Sequence, residues 1–342
     1  MTHNVEQLLT QVLVHYFSSS EPLPNVEELS VEHWSAMVDA AKRNEVGALL
    51  YDAVLALPPQ LRPPKSILFA LAAHAKSVET QHDVQQKALR QLATETGMPC
   101  TVVKGARIAA LYPVASHRES TDVDLYTASQ TDLLSAKMEN MGHRVERHNP
   151  RHDVFQYEKV TFEAHRTLFY NAQDNEALRV YLASVKSLDD YAHAIFVASH
   201  AAYHADFFLQ PIPLKQLFDW WLLVTNPSFS HRDFQKMKSS FSCSRFADLL
   251  TTYCCTVLLP GTLPPTYDVA QMAPPHVCRH FDSVYRQPHV RHTYALRRVV
   301  SRSAFYVLHR RLFRWLYGQS PFRKFYIQNL RTALRQHIRK TS

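Results

Sequence analysis

Apolar side chains recur at three- and four-residue steps along most of the first hundred residues. This spacing predicts helices over 5–17, 31–56 and 65–96, with two proline pairs separating the second helix from the third. The third helix is expected to end near Gly97, because glycine is common directly after a helix C-terminus. The pattern therefore predicts a helical segment over residues 1–97.

The spacing of apolar residues changes between residues 98 and 170. Runs that alternate polar and apolar residues, or that are rich in β-branched residues, predict four strands, at 100–103, 122–127, 154–157 and 160–168. Helical spacing over 106–112 and 131–141 lies between them. Residues 98–170 are therefore predicted to form an α/β core with a small sheet.

Helical spacing returns after the core. We expect a helical domain over 171–256, a proline-rich connector over 257–290 and a basic helical tail over 291–342. The predicted fold class is α+β, in which a small mixed sheet is embedded between helical segments.

The charge of the chain is concentrated at its C-terminal end. The formal net charge is +8, but residues 291–342 hold 13 Lys and Arg and no acidic residue, whereas the other 290 residues hold 25 basic and 30 acidic ones. Such a segment fits three roles: a helix packed on the body, a contact with an anionic membrane surface, or a contact with RNA. The sequence leaves these three roles open.

Composition excludes several classes of protein. Only 6 of 342 residues are glycine, which argues against glycine-rich phosphate loops and dinucleotide-binding crevices. The chain shows no long apolar run and no secretory signal pattern, so we expect neither a membrane span nor a signal peptide. The five cysteines lack C-x-x-C spacing and are expected to be reduced thiols. These features predict a cytoplasmic location, peripheral at the membrane if the tail binds lipid.

The sharpest chemical feature is the sequence Asp122-Val123-Asp124. Alternate residues of a strand point to one face, so both carboxylates would project together, about 6.6 Å apart along the backbone. Carboxylates so placed can hold one or two divalent cations that act in phosphoryl transfer. Glu163, on a later predicted strand, is the natural third carboxylate. The alternative for an Asp-x-Asp motif alone is a solvated strand end.

A candidate phosphate site precedes this motif. Lys104-Gly105-Ala106 follows a predicted strand and begins a helix, so the backbone at Gly105 could approach a phosphate while Lys104 adds positive charge. Arg118 lies four residues before Asp122 and could neutralise a triphosphate or orient the loop.

Taken together, these motifs resemble the uncharacterised bacterial nucleotidyltransferases of the DNA polymerase β-like superfamily. The resemblance covers roughly residues 30–225. The matching motifs, in chain order, are Lys104-Gly105, Leu111-Tyr112-Pro113, Arg118, Asp122-Val123-Asp124-Leu125, Gly142-His143, His152, Glu163-Ala164-His165, His200, His204, Leu214-Lys215-Gln216-Leu217 and Asp219.

The resemblance implies a metal-dependent transferase. By analogy, Asp122, Asp124 and Glu163 would bind Mg²⁺, with two ions expected and Mn²⁺ as a possible replacement. Gly105 and its neighbours would face the triphosphate of the NTP. His165 would contact the nucleotide, or else orient Glu163 within the sheet.

The helical domain adds further candidates. His193, His200 and His204 are spaced by seven and four residues and share one helix face, where they could line the nucleotide cleft, pack between domains or chelate a metal. Lys215 could reach the phosphates. Asp219 is expected to be a structural partner of a nearby basic group.

The sequence therefore predicts Mg²⁺-dependent transfer of a nucleoside monophosphate from an NTP to an acceptor hydroxyl, with release of pyrophosphate. The alternative is a non-catalytic module of the same fold, recruited to a membrane or to nucleic acid by residues 291–342. An RNA-modifying transferase is a further alternative, and it would need the tail for binding. The acceptor and the preferred base stay open.

Overall fold

The computed structural model describes residues 2–18, 26, 29–147, 149–185, 187–208, 211–279, 281, 286 and 315–316. Apart from Trp315 and Leu316, the predicted basic tail over 291–342 lies outside these residues. Its membrane and RNA contacts therefore stay predictions.

The first part of the chain is helical, as the apolar spacing predicts. It forms α1 (Thr2–Phe17), α2 (Val31–Arg43), α3 (Gly47–Ala56) and the 32-residue α4 (Lys65–Thr96). The single helix predicted over 31–56 is two helices, because the backbone at Glu45 takes a positive φ of 57°, which no helix continues through.

The α/β core contains five short strands. They are β1 (Thr101–Val103), β2 (Asp122–Tyr126), β3 (Val145–Glu146), β4 (His152–Tyr157) and β5 (Val160–His165), together with the helices α5 (Gly105–Ala109) and α6 (Thr131–Asn140). The strand order is β1-β2-β5-β4-β3. The β2–β5 pair is parallel and the other pairs are antiparallel, so the sheet is mixed and the α+β prediction is confirmed.

The two faces of this sheet differ in polarity. One face packs against α4 and α6 through a compact apolar cluster, in which Val123, Leu125, Phe162 and Ala164 are buried. The neighbouring strand positions, which carry the polar and acidic side chains, project from the opposite face. The alternation predicted for these strands therefore separates a core face from a polar face.

Several helical segments follow the sheet. They are α7 (Ala172–Val185), α8 (Asp190–Phe208), α9 (Leu214–Thr225), α10 (His231–Lys238), α11 (Ser244–Tyr253), a short π-helix (Cys254–Leu258) and α12 (Pro275–Cys278). Of the helices in the described ranges, none has the length and hydropathy that a membrane crossing needs.

The N-terminal and C-terminal helices share one apolar core. Phe17 of α1 packs against Phe218 and Trp221 of α9, with ring centroids 5.0 and 5.2 Å apart. The same buried cluster extends from α1, α2 and α3 to α8, α9 and α11. The helices that precede the sheet in the sequence therefore pack against the helices that follow it.

One carboxylate lies on the core face of the sheet. Asp153 of β4 is fully buried, and it accepts hydrogen bonds from Ser135 of α6 at 2.6 Å and from both terminal nitrogens of Arg166 at 2.8 and 2.7 Å. Asp132 contacts the same guanidinium at 2.7 Å, but its side chain is 82% exposed. Asp153 and Asp132 thus contact the same guanidinium, the first from a buried position and the second from an exposed one.

We expect Asp153→Ala to lower the free energy of unfolding by about 3 kcal/mol, because it leaves the buried Ser135 hydroxyl without its partner and removes the buried carboxylate that holds Arg166. Chemical denaturation measures this change. Asp132→Ala removes the exposed partner of the same arginine and should leave stability unchanged. Equal effects of the two substitutions would contradict this account of the core face.

Candidate active site

Three acidic side chains lie on one face of the sheet, where β2 and β5 run side by side. Asp122 and Asp124 alternate along β2, and the parallel register places Asp124 opposite Glu163 of β5. Because side chains two residues apart on a strand share a face, all three carboxylates project from the polar face. The structure thus brings together the three residues that the sequence predicts as metal ligands.

Asp124 is the most deeply buried of the three carboxylates, with 3% of its surface exposed. Lys104 Nζ lies 3.0 Å from its Oδ2 atom and His165 Nε2 lies 2.9 Å from its Oδ1 atom. Burial would raise the pKa of Asp124, but the Lys104 ammonium and the His165 hydrogen bond outweigh it and hold the pKa well below its usual range. Asp124 is therefore ionised at neutral pH.

The other two carboxylates are more accessible. Burial and the neighbouring Asp124 charge both raise the pKa of Asp122. Burial also opposes the ionisation of Glu163. The hydrogen bond with His165, at 3.5 Å, and the charges of His152 and His165 together outweigh burial, so the pKa of Glu163 is lowered. The site therefore concentrates negative charge, which attracts cations.

The turn between β1 and α5 brings Lys104 to this face. Lys104 has φ 58° and ψ −135°, a conformation that costs a residue with a side chain about 1–3 kcal/mol. Its N–H donates a hydrogen bond to His193 Nε2 at 2.9 Å, which holds the strained turn against α8. Gly105 follows with φ 28° and is buried, while Ala106 is half-buried in α5.

Helix α8 covers the Lys104 side of the site with neutral imidazoles. Burial lowers the pKa of His193 to about 3. Burial, and then the Lys104 charge, lower the pKa of His200 well below its usual value. His200 Nε2 lies 3.1 Å from Lys104 Nζ, and its ring stacks on that of His204 with centroids 4.2 Å apart. The spacing of these histidines thus places them on a face that supports Lys104.

Arg118 makes a contact that its position in the sequence does not indicate. Its Nε and Nη2 atoms donate to the two carboxylate oxygens of Asp219 at 2.9 and 2.7 Å, and its Nη1 atom lies 3.5 Å from the Glu119 carbonyl. Tyr112 donates to the same carboxylate at 2.8 Å, and Arg118 is 6% exposed. This guanidinium therefore joins the loop before β2 to α9.

Lys215 lies near the carboxylates but has a partner of its own. It forms an ion pair with Glu45, the residue of positive φ between α2 and α3. Its positive charge still acts on Asp122, whose pKa it lowers against the larger effect of burial. Lys215 thus contributes to the potential of the site while linked to the N-terminal helices.

His152 is named in the sequence analysis only among the matching motifs, and His193 only as one of three histidines on a shared helix face. The hairpin between β4 and β5 pairs Tyr157 with Val160, and this register places His152 opposite His165. The sequence pattern does not show this, because His152 and Asp153 are both polar and the predicted strand begins at 154; in the structure β4 begins at His152. The contact of His193 with a backbone N–H is a tertiary one that no spacing shows.

Comparison with known proteins gives a family for this arrangement. The model of a family described as uncharacterised nucleotidyltransferase matches residues 30–259, which is well over half of the chain. The chain therefore belongs to this family, and the resemblance noted from its motifs is confirmed. The search of curated proteins and the search of solved structures each gave no match.

Because a neutral His193 accepts a hydrogen bond from the Lys104 turn, we expect the stability of the protein to fall in acid. His193 is neutral when folded, with a pKa of about 3, and has an ordinary pKa near 6.5 when unfolded. The unfolded chain therefore binds the extra proton, and stability falls as pH decreases from 6.5 towards 3, by up to about 1.4 kcal/mol per pH unit. Above pH 6.5 this contribution is fully present.

We expect His193→Gln to have a shallower loss of unfolding free energy between pH 6 and pH 4 than the wild type, by about 1 kcal/mol per pH unit. Urea denaturation at several pH values measures both slopes. His276 is exposed on α12, so His276→Gln should keep the wild-type slope. A wild-type slope in His193→Gln would show that His193 is not held neutral against Lys104.

Proposed function

We propose, with this family membership as the premise, that the protein transfers a nucleoside monophosphate from an NTP to an acceptor hydroxyl and releases pyrophosphate. One observation carries the proposal: the parallel register of β2 and β5 sets Glu163 beside Asp124, on the face that Asp122 also occupies. A set of three carboxylates on one face is what two divalent cations need in phosphoryl transfer.

The donor set fits Mg²⁺, with Mn²⁺ as a substitute. Mg²⁺ prefers oxygen ligands and is commonly held by one or two carboxylates together with substrate phosphates. Burial, and then the charge of the ionised Asp124, raise the pKa of Asp122, so a cation bound there would offset the cost of ionising it. In our proposal Asp122, Asp124 and Glu163 hold the metal, which would stabilise charge on the triphosphate and activate the acceptor oxygen.

Lys104 is the side chain best placed to act on the triphosphate. Its Nζ atom lies 3.0 Å from Asp124, and its pKa is raised because Asp124 and Asp122 outweigh the effect of burial, so the ammonium stays charged. A fixed positive charge in a partly buried site offsets the negative charge that develops on phosphate oxygens. The adjoining Gly105 and Ala106 complete the proposed phosphate-binding turn.

His165, Lys215 and the α8 histidines have supporting roles in this proposal. His165 hydrogen-bonds to Asp124 and orients it, while Lys215 adds positive potential near Asp122. His200 and His204 line the site behind Lys104.

Arg118 and Asp219 act as positioning residues. Their bidentate ion pair holds the segment that leads into β2 and so fixes Asp122 and Asp124 relative to α9. The pair is almost fully buried, which excludes water and strengthens it.

We expect an NTP with Mg²⁺ to raise the melting temperature of the wild type by several degrees. A ligand at 100 times its Kd stabilises by about 2.7 kcal/mol, and each kcal/mol shifts a domain of 150–250 residues by roughly 2–4 °C. Thermal unfolding with a panel of NTPs, with and without Mg²⁺, gives the preferred nucleotide. Pyrophosphate release with candidate hydroxyl acceptors then tests the transfer itself.

Asp122→Asn is the informative variant, because Asp122 makes no ion pair with Lys104 and its loss leaves the buried Lys104–Asp124 pair intact. It should abolish the Mg²⁺-dependent shift. Asp132→Asn, an exposed position of α6, should keep it. A folded wild type that binds no NTP would overturn the catalytic proposal and favour a non-catalytic module.

A further inference from the structure

Two histidines flank Glu163 and form a cluster with it on the polar face of the sheet. His152 of β4 lies opposite His165 of β5, with ring centroids 4.9 Å apart. Their Nε2 atoms lie 3.7 and 3.5 Å from Glu163 Oε2. One potential ligand atom of each residue lies within 4.8 Å of the other two, and within the described ranges no other group of three or more such residues is that compact.

The hydrogen-bonding capacity of both imidazoles is incompletely used. The Nδ1 atoms of His152 and His165 are buried and have no partner among the described residues. Buried polar atoms are nearly always satisfied, and exceptions call for a specific explanation, such as a bound ion or water. The Nε2 atoms both face the Glu163 carboxylate, and each has a second neighbour: His152 Nε2 lies 3.4 Å from the Asn149 side-chain amide nitrogen, and His165 Nε2 lies 2.9 Å from Asp124 Oδ1.

The cluster is closed on one side and accessible on the other. The side chain of His165 is 3% exposed and that of His152 is 14% exposed, whereas Glu163 is 28% exposed. Catalytic metal sites commonly combine three protein ligands with one open position for water or substrate. This gradient of exposure fits such a site.

We propose that His152, Glu163 and His165 bind a divalent transition-metal ion of the zinc class. Imidazole nitrogen suits Zn²⁺ and related ions, whereas Mg²⁺ takes oxygen ligands, so two imidazoles beside one carboxylate select against Mg²⁺. The ion would replace the proton that His165 Nε2 shares with Asp124, so it would lie beside that carboxylate while the ring proton of His165 moves to Nδ1. The role of this ion, which is to bind the acceptor oxygen on the Glu163 side, rests on the proposed function. The assignment of its three ligands does not rest on that function.

The assignment separates two kinds of metal position on one sheet face. Asp122 and Asp124 of β2 belong to the Mg²⁺ and triphosphate side, and His152 of β4 lies across β5 from them. Glu163 of β5 lies between the two sides. Substitutions at the two ends of this row therefore test the two proposals separately.

Cobalt(II) is the probe, because four- or five-coordinate Co²⁺ with nitrogen ligands absorbs visible light far more strongly than octahedral Co²⁺ with oxygen ligands. We expect Co²⁺ titration of the metal-free wild type to give an intense visible band that Zn²⁺ abolishes and excess Mg²⁺ does not. His152→Gln should weaken Co²⁺ binding at least about tenfold and remove the band. His276→Gln, which changes an exposed histidine of α12, should bind Co²⁺ as the wild type does.

A wild type without an intense band, or a folded His152→Gln with an unchanged band, would overturn the metal assignment. Circular dichroism establishes folding, and Glu163→Gln, which keeps the size of the side chain, carries the same test if His152→Gln does not fold. Asp122→Asn should keep the Co²⁺ band and lose NTP binding. A band without any NTP binding in the wild type would therefore refute the proposed function and not the metal site.

Discussion

The parallel register of β2 and β5 is the constraint on which the candidate site depends. It sets Asp124 opposite Glu163 and, one residue along, Val123 opposite Phe162. A shift of one residue would turn Glu163 towards α4 and α6 and expose Phe162 on the polar face. Burial of Val123, Leu125, Phe162 and Ala164 in the apolar cluster therefore fixes the positions of the carboxylates. The core selects the geometry of the acidic face.

Charge is the second constraint, because carboxylates this close repel one another and are costly to bury. Lys104 and His165 offset the charge of Asp124, and the strained Lys104 backbone is held by His193 of α8. The Arg118–Asp219 pair links the segment before β2 to α9. The helices after the sheet thus hold the acidic face in place as well as cover it, and they lie largely within the residues 30–259 that match the family.

Much of this arrangement could be predicted from local sequence patterns. Alternation within a strand is a local property, so the shared face of Asp122 and Asp124 followed from their spacing, and the helical segments followed from apolar periodicity. Strand pairing is not local, but the short turn between β4 and β5 fixes a register that also locates His152 opposite His165. The helix break at Glu45 was missed, although Asn44 and Gly47 flank it, because the apolar spacing continues through Val46 and Leu49 as in an unbroken helix.

The contacts that sequence could not supply join residues far apart in the chain. Arg118 and Asp219 are 101 positions apart, and Lys104 and His193 are 89 positions apart. The sequence leads us to expect a basic partner for Asp219, but only the approach of α9 to the segment before β2 selects Arg118 over other cations. Lys215 likewise pairs with Glu45 of the N-terminal helices, a contact that depends on how α9 meets α2 and α3. Such pairs are determined by tertiary packing and not by local pattern.

The most direct measurement is crystallographic: diffraction data at the manganese absorption edge from crystals grown with Mn²⁺ and a non-hydrolysable NTP. The account predicts an anomalous peak bound by Asp122 and Asp124, in contact with the triphosphate and on the Glu163 side of β2. Nucleotide bound elsewhere, or bound here with no metal at Asp122 and Asp124, would contradict the central claim that the β2–β5 register builds a metal-dependent nucleotide site.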